Sequence, residues 1–190
     1  MSEACRLGLV IAVSGLPGSG KTTLAKALAR SLGLRYVSLG RVFRAIARER
    51  GVTVEELSLI AESDPSIDKE IDDLSVREAV KGCVVIDGHL SAWILKDRAH
   101  LKLLVTAPLN IRVERVARRD GKPLSKALSE VRVREESERR RFLKFYGIDI
   151  NDLSVFDVII STYKFGVDEV IDIALTAARA VIKRVKAGKT

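Results

Sequence analysis

The sequence is poor in cysteine, aromatic residues and long apolar runs, and it contains no glutamine. Cys5 and Cys83 lie far apart, without a further cysteine or a histidine at metal-ligand spacing, so we expect two reduced, buried thiols. Aromatic residues make up only 5% of the chain and do not alternate with basic clusters, which argues against base stacking along single strands. No apolar run approaches the roughly 18 residues of a membrane span. We therefore expect a cytoplasmic protein that binds neither nucleic acid nor membrane.

The charge of the chain is strongly positive, +8 over 190 residues. A basic surface can attract nucleic acid through its phosphates, or it can gather small phosphorylated ligands into a cleft. The positions of the arginines, described below, favour the small ligand. Since 47% of the residues are hydrophobic, the chain can bury a sizeable core, and we expect a single domain over residues 1–190.

Short apolar runs alternate with segments of helical periodicity. The runs predict five strands, at residues 7–13, 35–38, 84–87, 101–106 and 157–161. Helical spacing predicts helices at 21–32, 110–119 and 125–146, three short helices between 42 and 80 with breaks at Gly51 and Asp64–Pro65, and a final helix followed by a frayed end at 187–190. This alternation predicts an α/β fold in which helices flank a five-stranded parallel sheet.

The first predicted strand is followed by a glycine-rich segment that fits the Walker A pattern G-x-x-x-x-G-K-[ST] at every fixed position. Glycines let backbone N–H groups approach phosphate oxygens, and the next helix adds its positive N-terminus. Lys21 is expected to reach the β- and γ-phosphates of ATP, and the Thr22 hydroxyl is expected to bind Mg²⁺. The expected ATP-binding residues of this segment are Gly15, Leu16, Pro17, Gly18, Ser19, Gly20, Lys21, Thr22 and Thr23.

A second residue suited to Mg²⁺ ends another predicted strand. Asp87 closes the apolar run at 84–87 and precedes Gly88. A carboxylate at the carboxyl end of a parallel strand can hold the metal through water. The alternative is an aspartate that only shapes a turn.

The segment Ser38-Leu39-Gly40-Arg41-Val42-Phe43-Arg44 resembles the [ST]-x-G-x-x-x-R opening of the acceptor site in nucleoside monophosphate kinases. The resemblance to archaeal-type cytidylate kinases covers nearly the whole chain and includes the family-specific segment at 62–72, ESDPSIDKEID. It implies a P-loop kinase fold with an acceptor-binding segment at 39–80 and a short lid at about 118–134. The implied acceptor residues are Ser38, Gly40, Phe43, Arg44, Asp87, Gly88, His89, Glu138 and Arg141.

Three charged residues of the long predicted helix share one face, because Arg134, Glu138 and Arg141 are spaced i, i+4 and i+7. A solvated salt-bridge face is one interpretation. The resemblance implies another, in which the arginines bind phosphate and Glu138 accepts a hydrogen bond from the cytosine 4-amino group. It also places Arg115 and Arg119 near ATP at the start of the lid. The implied catalytic set is Lys21, Arg44, Arg118, Arg134 and Arg141.

These observations predict transfer of the γ-phosphoryl group of ATP to CMP, and also to dCMP, with Mg²⁺ as cofactor and a monomeric enzyme. The chain departs from the family at His89, where an arginine is usual, so acceptor binding is expected to be weaker or shifted. Three alternatives remain open at this point: a kinase for UMP or AMP, a kinase for a metabolite that is not a nucleotide, and a P-loop regulator that binds RNA or protein.

Overall fold

A five-stranded sheet forms the centre of the chain in the computed structural model, which describes residues 1–188. All the strand pairs are parallel, and the strand order is β2-β3-β1-β4-β5. The strands are β1 (Val10–Ser14), β2 (Arg35–Ser38), β3 (Val84–Asp87), β4 (Leu101–Thr106) and β5 (Val158–Ser161). This confirms the predicted α/β fold, although the end of the predicted frayed tail, residues 189 and 190, lies outside the described residues.

Nine α-helices connect and cover these strands in the described part of the chain. They are α1 (Glu3–Arg6), α2 (Lys21–Leu32), α3 (Leu39–Glu49), α4 (Val54–Ala61), α5 (Pro65–Val80), α6 (Ser91–Ile94), α7 (Leu109–Asp120), α8 (Leu124–Tyr146) and α9 (Val167–Lys186). The three helices predicted between 42 and 80 are confirmed as α3, α4 and α5. Across residues 1–188, no helix combines the length and the apolar character needed to cross a membrane.

The helices bury both faces of the sheet. On one face, α2 and α9 pack against the strands through residues such as Leu28 and Ala174, both 0% exposed. On the other face, α3, α4 and α5 contribute Phe43, Leu57 and Ile67 to a second core cluster. Burial on both sides explains why the strands read as continuous apolar runs and not as alternating ones.

The register of the sheet brings the ends of three strands together. Val13 of β1 and Ser38 of β2 are both partners of Asp87 in β3. Because the strands are parallel, the loops that follow β1, β2 and β3 leave from the same edge of the sheet. That edge is where open α/β sheets bind their ligands.

The predicted lid at about 118–134 is formed almost entirely by helix ends. Only residues 121–123 separate α7 from α8, and Gly121 ends α7 in the left-handed conformation with φ 61°. Val113 and Val116 of α7 pack against Val131 of α8. This segment is therefore a helical hairpin with a three-residue turn.

The prediction of two reduced thiols was wrong, since Cys5 and Cys83 form a disulfide. The two residues are 78 positions apart in the sequence, but β1 and β3 are parallel neighbours, so the segments that enter them lie side by side. The backbone N–H of Val84 donates to the carbonyl of Leu9 at 3.0 Å. The disulfide thus joins α1 to the start of β3 at the amino end of the sheet, away from the ligand-binding edge.

Candidate functional site

A cavity of about 520 Å³ opens at the carboxyl edge of the sheet, between the glycine-rich loop and helices α3, α5, α7 and α8. Most of the residues predicted from the sequence line this cavity. They are Pro17, Gly18, Gly20, Lys21, Thr22, Thr23, Ser38, Gly40, Phe43, Arg44, Asp87, Gly88, His89, Arg115, Arg119, Arg134, Glu138 and Arg141. Of the remaining predicted residues, Gly15, Leu16 and Ser19 form the body of the loop, and Arg118 is exposed and does not line the cavity.

The glycine-rich loop requires glycine for both conformation and space. Gly15 and Gly18 have φ values of 148° and 78°. A Cβ on Gly15 would clash with the carbonyl oxygen of Val105, and a Cβ on Gly18 would clash with the backbone of Arg112. The loop therefore packs tightly against β4 and α7, and its inner side is left to the cavity.

Lys21 begins α2 and folds back over the loop. Its ammonium donates hydrogen bonds to the carbonyl oxygens of Gly15 and Leu16, the latter at 3.0 Å. Burial lowers the pKa of Lys21 to about 8, although the charges of Asp87 and Glu138 act in the opposite direction. A polyphosphate in the cavity would add negative charge beside this partly buried ammonium.

Oxygen ligands converge beside Lys21. The Thr22 hydroxyl donates to Oδ2 of Asp87 at 3.1 Å, and the Ser38 hydroxyl donates to Oδ1 at 3.3 Å. Asp87 is only 2% exposed. Adjacent hydroxyl and carboxylate oxygens are the hard donors that Mg²⁺ binds, with water completing its shell, so these residues fit the expected ion.

Sequence reasoning missed one partner of Asp87. The Tyr36 hydroxyl donates to Oδ2 of Asp87 at 2.5 Å. Burial and this hydrogen bond raise the pKa of Tyr36 to about 12, so the phenol stays protonated and remains a donor. Tyr36 lies two residues before Ser38 on β2, and this shared strand face is the signal that could have identified it.

The predicted charged face of α8 is buried and not solvated. Arg134, Glu138 and Arg141 are 8%, 7% and 2% exposed, and all three line the cavity. Oε2 of Glu138 lies 2.6 Å from Nδ1 of His89, and Oε1 lies 3.6 Å from Arg134. Burial alone would raise the pKa of Glu138, but His89, Arg134 and Arg141 together lower it to about 2. His89 thus contacts Glu138 directly through its ring nitrogen.

Two arginines of α7 reach the cavity beside the loop. Arg115 donates to Oγ1 and to the carbonyl oxygen of Thr162, at 2.8 Å each. Arg119 pairs with Asp120 at 2.7 Å and remains 44% exposed at its side chain. Arg118 stays outside the cavity in this conformation, and its catalytic role remains a prediction.

Other lining residues had no predicted role. Thr162 and Phe165 follow β5 and line the cavity, and the Thr162 hydroxyl donates to the carbonyl of Ser19 at 2.9 Å. Asp68 and Asp72 of α5 also line it. The position of Thr162 just after a parallel strand could have suggested it. The two aspartates belong to the family-specific segment at 62–72, from which no role for them was predicted.

The comparison with known sequences identifies the family of this chain. A model of the cytidylate kinase-like family matches residues 10–164. The cytidylate kinase of Staphylothermus marinus is 53% identical over 165 residues, which are 87% of this chain and 93% of the relative. The cytidylate kinase of Aeropyrum pernix is 50% identical over 167 residues, covering 88% of this chain and 97% of the relative.

Solved structures resemble the chain at much lower identity. A gluconokinase from Sinorhizobium meliloti has a TM-score of 0.63 at 14% identity and covers 97% of this chain and 99% of its own. A shikimate kinase from Acinetobacter baumannii, in complex with shikimate, has a TM-score of 0.60 at 17% identity and covers 94% and 97%. These likenesses show a shared P-loop kinase fold, whereas the family match and the relatives at about 50% identity go further: the chain belongs to the cytidylate kinase-like family.

Proposed function

We propose that this protein transfers the γ-phosphoryl group of ATP to CMP, giving ADP and CDP, and that dCMP is a second acceptor. The observation that carries the proposal is the form of the cavity. The glycine-rich loop and Lys21 line it together with three arginines of α3 and α8, Arg44, Arg134 and Arg141. Such a cavity suits two anionic nucleotides bound end to end, and cytidylate kinases match the chain over nearly its full length.

The chemistry requires charge neutralisation more than proton transfer. The attacking group is a phosphate oxygen of the acceptor, which is already anionic near neutral pH, so no general base is needed. Lys21, Arg44 and Arg134 hold the two phosphate groups in line and offset the charge that spreads over the transferred group. Mg²⁺, held by Thr22 and through water by Asp87, would neutralise further charge on the β- and γ-phosphates.

Closure of the cavity completes the proposed site. ATP has to be shielded from water until an acceptor binds, so we assign closing movements to the segment 39–80 and to the helical hairpin of α7 and α8. Arg119, paired with Asp120 on the exposed side of α7, and Arg118 would approach the phosphates in the closed form. We also propose a monomeric enzyme, which size-exclusion chromatography with light scattering can test.

A coupled assay of ADP release tests the proposed reaction. CMP, dCMP, UMP, AMP, GMP and dTMP are compared with shikimate and with no acceptor, in the presence of Mg²⁺ and ATP. CMP is expected to give the highest kcat/KM, followed by dCMP. A preference for AMP would overturn the substrate and keep the fold, and no acceleration by any monophosphate would reject the proposal.

A further inference from the structure

Two carboxylates that the proposed reaction does not use face the acceptor end of the cavity. Asp68 and Asp72 lie one turn apart on α5 and therefore share one face of that helix. Both line the cavity, and Asp68 is only 6% exposed. We call these two residues the carboxylate wall.

The two members of the carboxylate wall differ in their partners. Oδ2 of Asp72 accepts a hydrogen bond from the Tyr146 hydroxyl at 2.6 Å. Oδ2 of Asp68 lies 2.9 Å from Nε of Arg141, but the two groups are not oriented for a hydrogen bond, and neither atom has a hydrogen-bond partner among residues 1–188. Arg141 donates instead to the carbonyl of Ser58 at 3.2 Å. Oδ2 is thus buried against Arg141. Oδ1 is not buried in this way and has no hydrogen bond within residues 1–188, so it is the oxygen of Asp68 that the cavity leaves open to a ligand.

Glu138 is less free than Asp68 to accept a hydrogen bond from a ligand. One of its oxygens is 2.6 Å from His89, and the other faces Arg134 at 3.6 Å. Phe43, Ile71 and Phe142 line the cavity beside Asp68 and give it flat, apolar walls. An aromatic base fits such surroundings, with its polar edge toward the free carboxylate.

We infer that Asp68 recognises the exocyclic amino group of the acceptor base, with Asp72 as the second carboxylate of the same wall. This inference rests on the proposed function and moves base recognition from Glu138 to Asp68. An amino group would donate to Oδ1 of Asp68, the oxygen that Arg141 leaves free. A base with a carbonyl oxygen at that position, as in UMP, would set two acceptors against each other, which selects against it.

The energetics of the carboxylate wall fit a functional role. Burial raises the pKa of Asp68 to about 6, against the opposing effect of Arg141, and raises the pKa of Asp72 to about 7. Glu138 also faces Asp68, and Tyr146 and Asp73 act on Asp72. Since both pKa values lie above that of an unfolded aspartate, the folded state loses stability as pH rises from about 4 to 7. A residue kept only for packing would not carry this penalty.

The test compares Asp68→Asn with Glu70→Gln, the same acid-to-amide change at an exposed position of the same helix. We expect Asp68→Asn to lower the ratio of kcat/KM for CMP to that for UMP by about 10- to 100-fold, because a hydrogen bond to a charged group is lost. The KM for ATP should stay within about twofold. Glu70→Gln should leave the CMP-to-UMP ratio unchanged. Glu138→Gln should weaken CMP and UMP together.

The inference is overturned if Asp68→Asn keeps the wild-type CMP-to-UMP ratio, if it changes only the ratio of CMP to dCMP, or if Glu138→Gln abolishes the discrimination instead. Asp68→Ser is measured in parallel, because it removes the carboxylate without leaving an amide in the cavity. Thermal unfolding at pH 8 shows that each variant is folded, and Asp68→Asn is expected to be at least as stable as the wild type. If the wild type phosphorylates no CMP, the proposed function fails, and that result is distinct from a failure of the Asp68 assignment.

Discussion

Buried charges at the cavity have few protein partners suited to them. Within residues 1–188, the ammonium of Lys21 donates hydrogen bonds only to the carbonyls of its own loop. The carboxylate of Asp68 has Arg141 beside it but no hydrogen bond within the same residues. Burying charge in this way destabilises the folded protein. Such residues persist where a ligand supplies the missing partner. Each of them therefore lowers the stability of the ligand-free protein and supports its function.

Lys21→Met tests this coupling directly. We expect turnover to fall by on the order of 10³, because the variant loses the positive charge at the transferred phosphate. We also expect the ligand-free variant to be more stable than the wild type at neutral pH. Since burial lowers the pKa of Lys21 to about 8, the folded wild type binds fewer protons than the unfolded chain above that pH, and its stability rises from about pH 8 to 10.5. The stability advantage of the variant should therefore shrink across this range.

Thermal unfolding between pH 7 and 9.5, together with the ADP-release assay, provides the measurement for Lys21→Met. Lys183→Met is the matched control, because Lys183 is exposed on α9. This control should retain both turnover and the pH dependence of the wild type. A Lys21→Met protein that is less stable than the wild type at pH 7 would show that the ammonium supports the loop in the absence of ligand.

At the scale of elements, Arg112 connects the glycine-rich loop to both arms of the helical hairpin. Arg112 lies on α7 and is 5% exposed. Its guanidinium donates to the carbonyls of Ala107 and Pro17 at 3.0 and 3.3 Å and pairs with Glu135 of α8. A planar group with several donors can bind these partners at the same time, and a lysine cannot. Arg112 is therefore a positioning residue for the loop that is proposed to hold ATP.

Arg112→Lys should lower the free energy of unfolding by about 2–4 kcal/mol, because buried acceptors lose charged hydrogen bonds. In the folded variant, the KM for ATP should rise more than the KM for CMP, since the glycine-rich loop loses its support and the carboxylate wall does not. Arg132→Lys is the control, at an exposed position of α8. Chemical denaturation and initial rates check both effects, and equal KM values for ATP in the wild type and a folded Arg112→Lys protein would contradict this role.

Local sequence patterns predicted most elements and part of the site. The bounds of β2, β3 and β4 match the prediction, because each apolar run ends at a polar or turn residue. The four-residue helices α1 and α6 were missed, since one helical turn carries no periodicity. The glycine-rich loop and Asp87 were identified because their chemistry follows contiguous strands. Tyr36 and Thr162 were missed although their positions on or just after strands could have suggested them. Asp68 depends on contacts between distant segments, which a single sequence does not reveal.

At the scale of the whole molecule, one covalent bond links two segments that lie far apart in the sequence. The disulfide between Cys5 and Cys83 closes a segment that contains β1, β2 and the four helices α2 to α5. A closed loop of this length restricts the unfolded chain and stabilises the folded one by roughly 4 kcal/mol in the chain-entropy account. The bond lies at the amino end of the strands, so it should support the fold without touching the cavity.

Removal of the disulfide therefore separates stability from turnover. We expect Cys5→Ala with Cys83→Ala to lower the melting temperature by roughly 10 °C while leaving kcat and KM at 25 °C unchanged, because the cavity edge of the sheet is not altered. Cys83 has a positive φ of 55°, which glycine adopts more readily than alanine. Cys5→Ala with Cys83→Gly should consequently recover up to about 1 kcal/mol relative to the double alanine variant.

Calorimetry with and without reductant, and thiol titration of the unfolded wild type, provide the measurements. Two titratable thiols before reduction would show that the bond is absent, and a loss of turnover in both folded variants would show that the amino end of the sheet influences the cavity.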